Sequence, residues 1–96
     1  MSVKPAIDYK YDEDKYIAEF AEYINSTYEQ HYGSKGVQVL EMIMAQGHGT
    51  GFCIGDIQKY AGRYGKKGTR DDARKDLIKV LHYALLMLYV HDNELG

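Results

Sequence analysis

The chain has 96 residues, one Cys, one Pro, ten Tyr and no Trp, and its formal net charge is −2. That length makes one domain with a modest core, which association between subunits would help to stabilise. A single cysteine rules out an internal disulfide, the longest apolar run (residues 84–90) is far too short for a bilayer, and the acidic balance argues against general or sequence-specific DNA binding.

Residues 1–11 show no hydrophobic period, contain Pro5 and read as an extended arm ahead of a single helical domain spanning 12–96. The polar N-terminus, with its first apolar cluster broken by charges, predicts no secretory leader. Asp12, Glu13 and Asp14 supply a start signal for a first helix. Tyr16, Ile17, Phe20, Tyr23, Ile24 and Tyr28 follow at amphipathic helical spacing, with an end expected near Tyr28 to Gln30. Residues 31–36 form a loop on glycine content. Val37, Leu40, Ile43 and Met44 predict a short second helix that Gly47 stops. Residues 47–51, with three glycines, read as a flexible connector in which Thr50 is a candidate cap; a mobile lid is the functional alternative.

A third helix is expected from about Phe52 to Tyr64, then a basic turn at Gly65-Lys66-Lys67-Gly68. Thr69 with Asp72 three residues on is a short relative of the capping box, and it opens a fourth helix over about Arg70 to Val90. Ten apolar residues between Leu77 and Val90 cover most of that helix's circumference. A helix apolar all round is buried on all sides. Three companions, two of them short, do not enclose it, so the expectation is an all-α protein of four helices that assembles as a homo-oligomer through this helix.

Charge is distributed unevenly. Residues 1–30 carry seven acids and three bases, whereas residues 58–79 carry eight bases and three acids. The third helix places Asp56, Lys59, Tyr60 and Arg63 on one face, and the fourth does the same with Asp72, Asp76, Lys79, His82 and Tyr83. A short turn makes the two helices antiparallel, so the stripes face each other. Two readings are open: an interhelical ion-pair network, or a polar pocket for a phosphorylated ligand. Rings interleaved with cations suit a nucleotide, because a base needs a flat apolar surface and its phosphates need cations. On that reading Lys59, Arg63, Lys66, Lys67, Thr69 and Lys79 hold phosphate, and His31, Tyr32, Tyr60, Tyr64 and Tyr83 contact base or sugar. Asp76 and His82 are then the candidates for catalytic work.

Familiar alternatives fail on spacing. Gly65-Lys66-Lys67-Gly68-Thr69 is not a P-loop, since Gly68 stands where Ser or Thr is required and no strand precedes it. Phe52 occupies a glycine position of the dinucleotide fingerprint. His48 and Cys53 have no partners at zinc spacing, so no protein-held metal is expected. Asp71, Asp72 and Asp76 are candidates for holding Mg2+ brought in with a nucleotide, or else simply cap and charge the helix.

The motif order resembles a family of small phage proteins of mostly uncharacterised function. Its pattern runs from a His-Tyr pair, His31-Tyr32, through Gly55-Asp56-Ile57-Gln58-Lys59-Tyr60-Ala61-Gly62-Arg63-Tyr64-Gly65-Lys66-Lys67, to Asp76-Leu77-Ile78-Lys79-Val80-Leu81-His82-Tyr83. The similarity covers about residues 31–88 and leaves the acidic first helix outside. One member, from a short-tailed coliphage, is a kinase of deoxynucleoside monophosphates that lacks a standard P-loop. The resemblance implies an all-helical nucleotide-binding domain in the cytoplasm of an infected bacterial host, and it admits phosphoryl transfer to deoxynucleoside monophosphates as one activity. It equally admits a non-catalytic anti-defence protein that sequesters nucleotides or cyclic nucleotide immune signals. A structural or host-protein-binding phage factor is the third class.

Overall fold

The computed structural model describes residues 6–30 and 35–96, with side chains from residue 39 onward in the second helix. Four helices follow in order, α1 (Glu13–Gln30), α2 (Lys35–Ala45), α3 (Gly49–Arg63) and α4 (Arg70–Asp92), and no strand occurs among the described residues. The expected all-α architecture and its boundaries therefore hold to within three residues.

The described part of the arm, residues 6–11, is exposed. It enters α1 through Asp12 at φ 57, a left-handed conformation that Asp tolerates better than most residues. Of the α1 stripe, Phe20, Tyr23 and Ile24 turn inward, joined by buried Thr27, while Tyr16, Ile17 and Tyr28 stay exposed. Gly47 ends α2 as expected. At φ +80 it lets its own N–H reach the Met44 carbonyl (3.0 Å) and the His48 N–H reach that of Ile43 (3.1 Å).

The expected glycine-rich connector is corrected. Helix α3 begins at Gly49, not Phe52, and Thr50 lies inside its first turn; His48 occupies the N-cap position without a side-chain bond. The reason is tertiary. Gly49 is buried, and its N–H donates to the Leu95 carbonyl (3.1 Å). A Cβ there would stand 2.7 Å from that oxygen and 2.9 Å from both Val90 methyls. Glycine is needed for close approach of the C-terminal segment, not for mobility. That segment is held by a helix stop at the end of α4: Leu95 donates to Val90 (3.0 Å) and Glu94, at φ 54, to His91 (3.3 Å).

Helices α3 and α4 form the main antiparallel pair, and Met44, Cys53 and Val90 make the buried centre with Phe52, Leu86, Met87 and Leu95 around it. Thr69 caps α4 as predicted: its hydroxyl accepts from the Asp72 N–H (3.2 Å) and its N–H donates to Asp72 Oδ2 (2.9 Å). Helix α1 lies across α4, tied by the Arg74 fork on Glu19 (2.5 and 2.6 Å) and by Phe20 and Tyr23 against His82. The result is a slab 24 Å thick, two helix diameters. Its radius of gyration is 15.7 Å, against roughly 12.5 Å for a compact chain of this length. Leu77, Leu81, Leu85 and Leu88 remain 45%, 50%, 45% and 62% exposed on the bare side of α4.

Candidate functional site

The facing stripes of α3 and α4 meet. The Arg63 guanidinium donates through Nε (3.2 Å) and a terminal nitrogen (2.8 Å) to the same oxygen of Asp76, Oδ1. Asp76 is 4% exposed, whereas the Arg63 side chain is 45% exposed. The pairing raises the Arg63 pKa, and a guanidinium is charged throughout the physiological range in any case. Arg63 thus satisfies a buried carboxylate from the wall of an open cleft while keeping other donors turned to solvent.

That cleft has a volume of about 400 Å³. Arg63, Lys67, Lys75 and Lys79 line it together with Gly68, Asp72 and Asp76, so four cations face two carboxylates. Asp72 is held ionised well below its ordinary range, first by the Thr69 N–H and then by the Thr69 hydroxyl. Gly68 closes one end at φ +84; a Cβ there would lie 2.6 Å from Asp72 Oδ2.

One turn deeper stands an aromatic pair. The Tyr60 and Tyr83 rings are parallel within 8° with centroids 5.8 Å apart, and Phe52 meets Tyr83 edge-on at 5.7 Å. Three cations surround the Tyr60 ring: Lys59 Nζ at 5.1 Å, Arg63 at 4.9 Å and Lys79 Nζ at 4.9 Å. Cations over a ring face are attracted by its quadrupole. Lys59, Tyr60 and Arg63 of α3 therefore form one cluster with Lys79 and Tyr83 of α4. Tyr23 of α1 meets His82 edge-on at 5.5 Å and His82 stacks on Tyr83 at 5.9 Å, which places α1 beside the same cluster; burial pushes the Tyr23 hydroxyl pKa up.

Other candidates lie apart from the cleft. Tyr64 faces a second groove, with Tyr16, Arg70, Arg74 and Leu77. Lys66 is exposed in the turn, its N–H bonded to the Arg63 carbonyl (3.1 Å). Thr69 spends its N–H and hydroxyl on Asp72. His82 is buried among Phe20, Tyr23 and Tyr83, six residues or about 9 Å of helix rise from Asp76. Burial lowers its pKa below the ordinary 6.5. His31 and Tyr32 lie outside the described residues. Among the described residues, no three His, Cys, Asp or Glu side chains gather to hold a metal, and no helix is long and apolar enough to cross a membrane.

Lys75 is the cleft residue that sequence reasoning passed over. It stands three residues after Asp72 and four before Lys79, so helical spacing puts it on the same stripe. Lys75 and Lys79 also line a groove between α1 and α4 with Tyr23, Ser26, Thr27 and Gln30, so two recesses share these two cations.

No curated protein and no solved structure matches the chain. A family profile matches residues 24–85, from the last two turns of α1 to the C-terminal half of α4, and so includes part of the acidic helix that the motif comparison left outside. The match takes in the cleft, the aromatic cluster and the turn between α3 and α4, and on it the chain belongs to the DUF3310 family of proteins of unknown function.

Proposed function

We propose that the protein binds a nucleotide, or a nucleotide-derived phosphorylated ligand, in the cleft between α3 and α4. The observation that carries this reading is the convergence of Arg63, Lys67, Lys75 and Lys79 on one open cleft beside the Tyr60–Tyr83 pair. Arg63 offers a planar fork of donors that suits phosphate oxygens, and the lysines add charge without fixed geometry. The Tyr60 ring, with Arg63 and Lys79 of the cleft over it, supplies an aromatic surface beside the cleft for a base or sugar.

Binding is better supported than phosphoryl transfer to deoxynucleoside monophosphates. Asp76 is occupied by Arg63, Asp72 by the helix cap, and His82 sits among aromatic rings away from the cleft. A protein of this kind would sequester its ligand, cyclic nucleotide immune signals included, inside an infected bacterial host. The bare leucine face of α4 and the expanded slab support a homo-oligomer.

Calorimetry against mono-, di-, tri- and cyclic nucleotides, with and without Mg2+, tests the reading. The expected result is micromolar binding to at least one class, weakened roughly 10-fold or more by Arg63→Ala, the scale of a charge-assisted hydrogen bond. No binding tighter than millimolar to any of them would remove the proposal. New diphosphate after incubation with ATP and a deoxynucleoside monophosphate would replace sequestration by catalysis.

A further inference from the structure

We infer that a second copy of this chain docks antiparallel on the bare face of α4 with Leu81 on the two-fold axis. The inference rests on the homo-oligomer proposed above and assigns its interface. Leu77, Leu81, Leu85 and Leu88 follow one another at steps of four, four and three residues and are all about half exposed or more. The same spacing continues outward to Arg70 at the start of the helix and Asp92 at its end. At roughly 3.67 residues per turn the row drifts little on a straight helix, so all of these positions share one face.

The row is palindromic in chemistry about Leu81. Counting equally in both directions, Leu77 mirrors Leu85 and Arg70 mirrors Asp92. Two antiparallel copies therefore bring Leu81 onto itself, Leu77 onto Leu85 of the second copy, and Arg70 onto Asp92 of the second copy at both ends. A parallel pairing would set Arg70 on Arg70 and Asp92 on Asp92. Like charges in register cost affinity, whereas two-fold symmetry makes each favourable contact occur twice. Arg74 mirrors Leu88, but its guanidinium is drawn aside by Glu19, leaving its aliphatic stem to the second copy.

Both halves of the α4 face border grooves. One of about 410 Å³ runs over Leu77 and Leu81, with Tyr16 and Tyr64 among its lining residues, and one of about 530 Å³ runs beside Leu85, against Ile24, Tyr28, Leu40 and Met44. Leu88 stands 62% exposed between the helix end and this row. An antiparallel two-fold sets Leu85 and Leu88 of each copy against Leu77 and Arg74 of the other, at the edge of the first groove. The cleft residues Asp72, Lys75, Asp76 and Lys79 occupy the opposite side of α4, and both clefts stay open to ligand.

The test uses the full chain and single cysteines; native Cys53 is fully buried and does not compete. Light scattering should give a dimer or a multiple of it. Leu81→Cys should form a covalent dimer on mild oxidation. Leu77→Cys should not do so alone, yet should cross-link when mixed with Leu85→Cys. Arg70→Asp should raise the dissociation constant several-fold, and Arg70→Asp with Asp92→Arg should restore it, with helicity by circular dichroism unchanged in each variant. Leu77→Cys linking to itself while Leu81→Cys stays reduced, or an oligomer indifferent to both charge variants, overturns this interface and leaves the oligomer standing. A monomer at micromolar concentration overturns both.

Discussion

Replacing Gly49 by alanine tests the anchoring of the C-terminal segment, and replacing Gly55 provides its control. Both residues lie in α3, where alanine is intrinsically better than glycine by up to about 1 kcal/mol. At Gly55 nothing lies within 4 Å of the added methyl, so the gain should appear in full, as a rise of roughly 4–8 °C for a domain of this size. At Gly49 the methyl meets the Leu95 carbonyl at 2.7 Å and two Val90 methyls at 2.9 Å. Overpacking of that kind costs about 1–3 kcal/mol, and the propensity gain is smaller at the first helical position. The net expectation is a loss of about 1–2 kcal/mol and a melting point lower by roughly 5–15 °C. Thermal unfolding at fixed protein concentration reads both. Val90→Ala in the Gly49→Ala background should recover only part of the loss, because a side-chain truncation does not move a backbone oxygen. Equal stabilisation by Gly49→Ala and Gly55→Ala would refute the packing of the C-terminal segment on α3.

Three further outcomes follow from the site. Lys75→Ala should weaken nucleotide binding as much as Lys79→Ala does, while Lys66→Ala should leave it within about twofold, the scale of a distant exposed charge; titration calorimetry distinguishes them. Raising salt from 0.05 to 0.5 M, a range over which the screening length falls below about 10 Å, should weaken nucleotide binding less than inorganic triphosphate binding, because the Tyr60 contribution is unscreened. Equal steepness would leave a generic anion patch. His82 resists protonation in the folded state and takes a proton near 6.5 when unfolded. Stability should therefore be full above pH 6.5 and fall as pH drops below it, and His82→Gln should flatten that step in pH-dependent denaturant unfolding. Losses from Asp72 and Glu19, both lowered by their partners, belong to the more acidic carboxylate range.

The helices were legible where local chemistry decides them. Thr69 with Asp72, and Gly47 after the α2 stripe, mark boundaries by bonds made within a few residues. The facing stripes of α3 and α4 were legible because helical spacing fixes faces and a short turn fixes orientation. The start of α3 was not, since it depends on Leu95, more than forty residues away in sequence. The same limit hid the Glu19–Arg74 pair, which joins the acidic and basic halves read separately from charge. Tyr64 was assigned to the site by alternation with Lys59, Tyr60 and Arg63; the helix ends there, and its ring turns to another groove. Lys75 was legible too, since it lies at helical spacing between Asp72 and Lys79 and lines the cleft with them.

Asp72 serves two masters. Its carboxylate starts α4 by holding the Thr69 N–H, and it also stands in the cleft wall among the cations. A phosphate entering the cleft is repelled by the group that keeps the helix end closed, so affinity and order at that end draw against each other. Asp72→Asn would shift the exchange rate, giving tighter anion binding on a looser helix start. On the proposed reading, tight retention of a phosphorylated ligand and a rigid turn between α3 and α4 are alternatives set by one side chain.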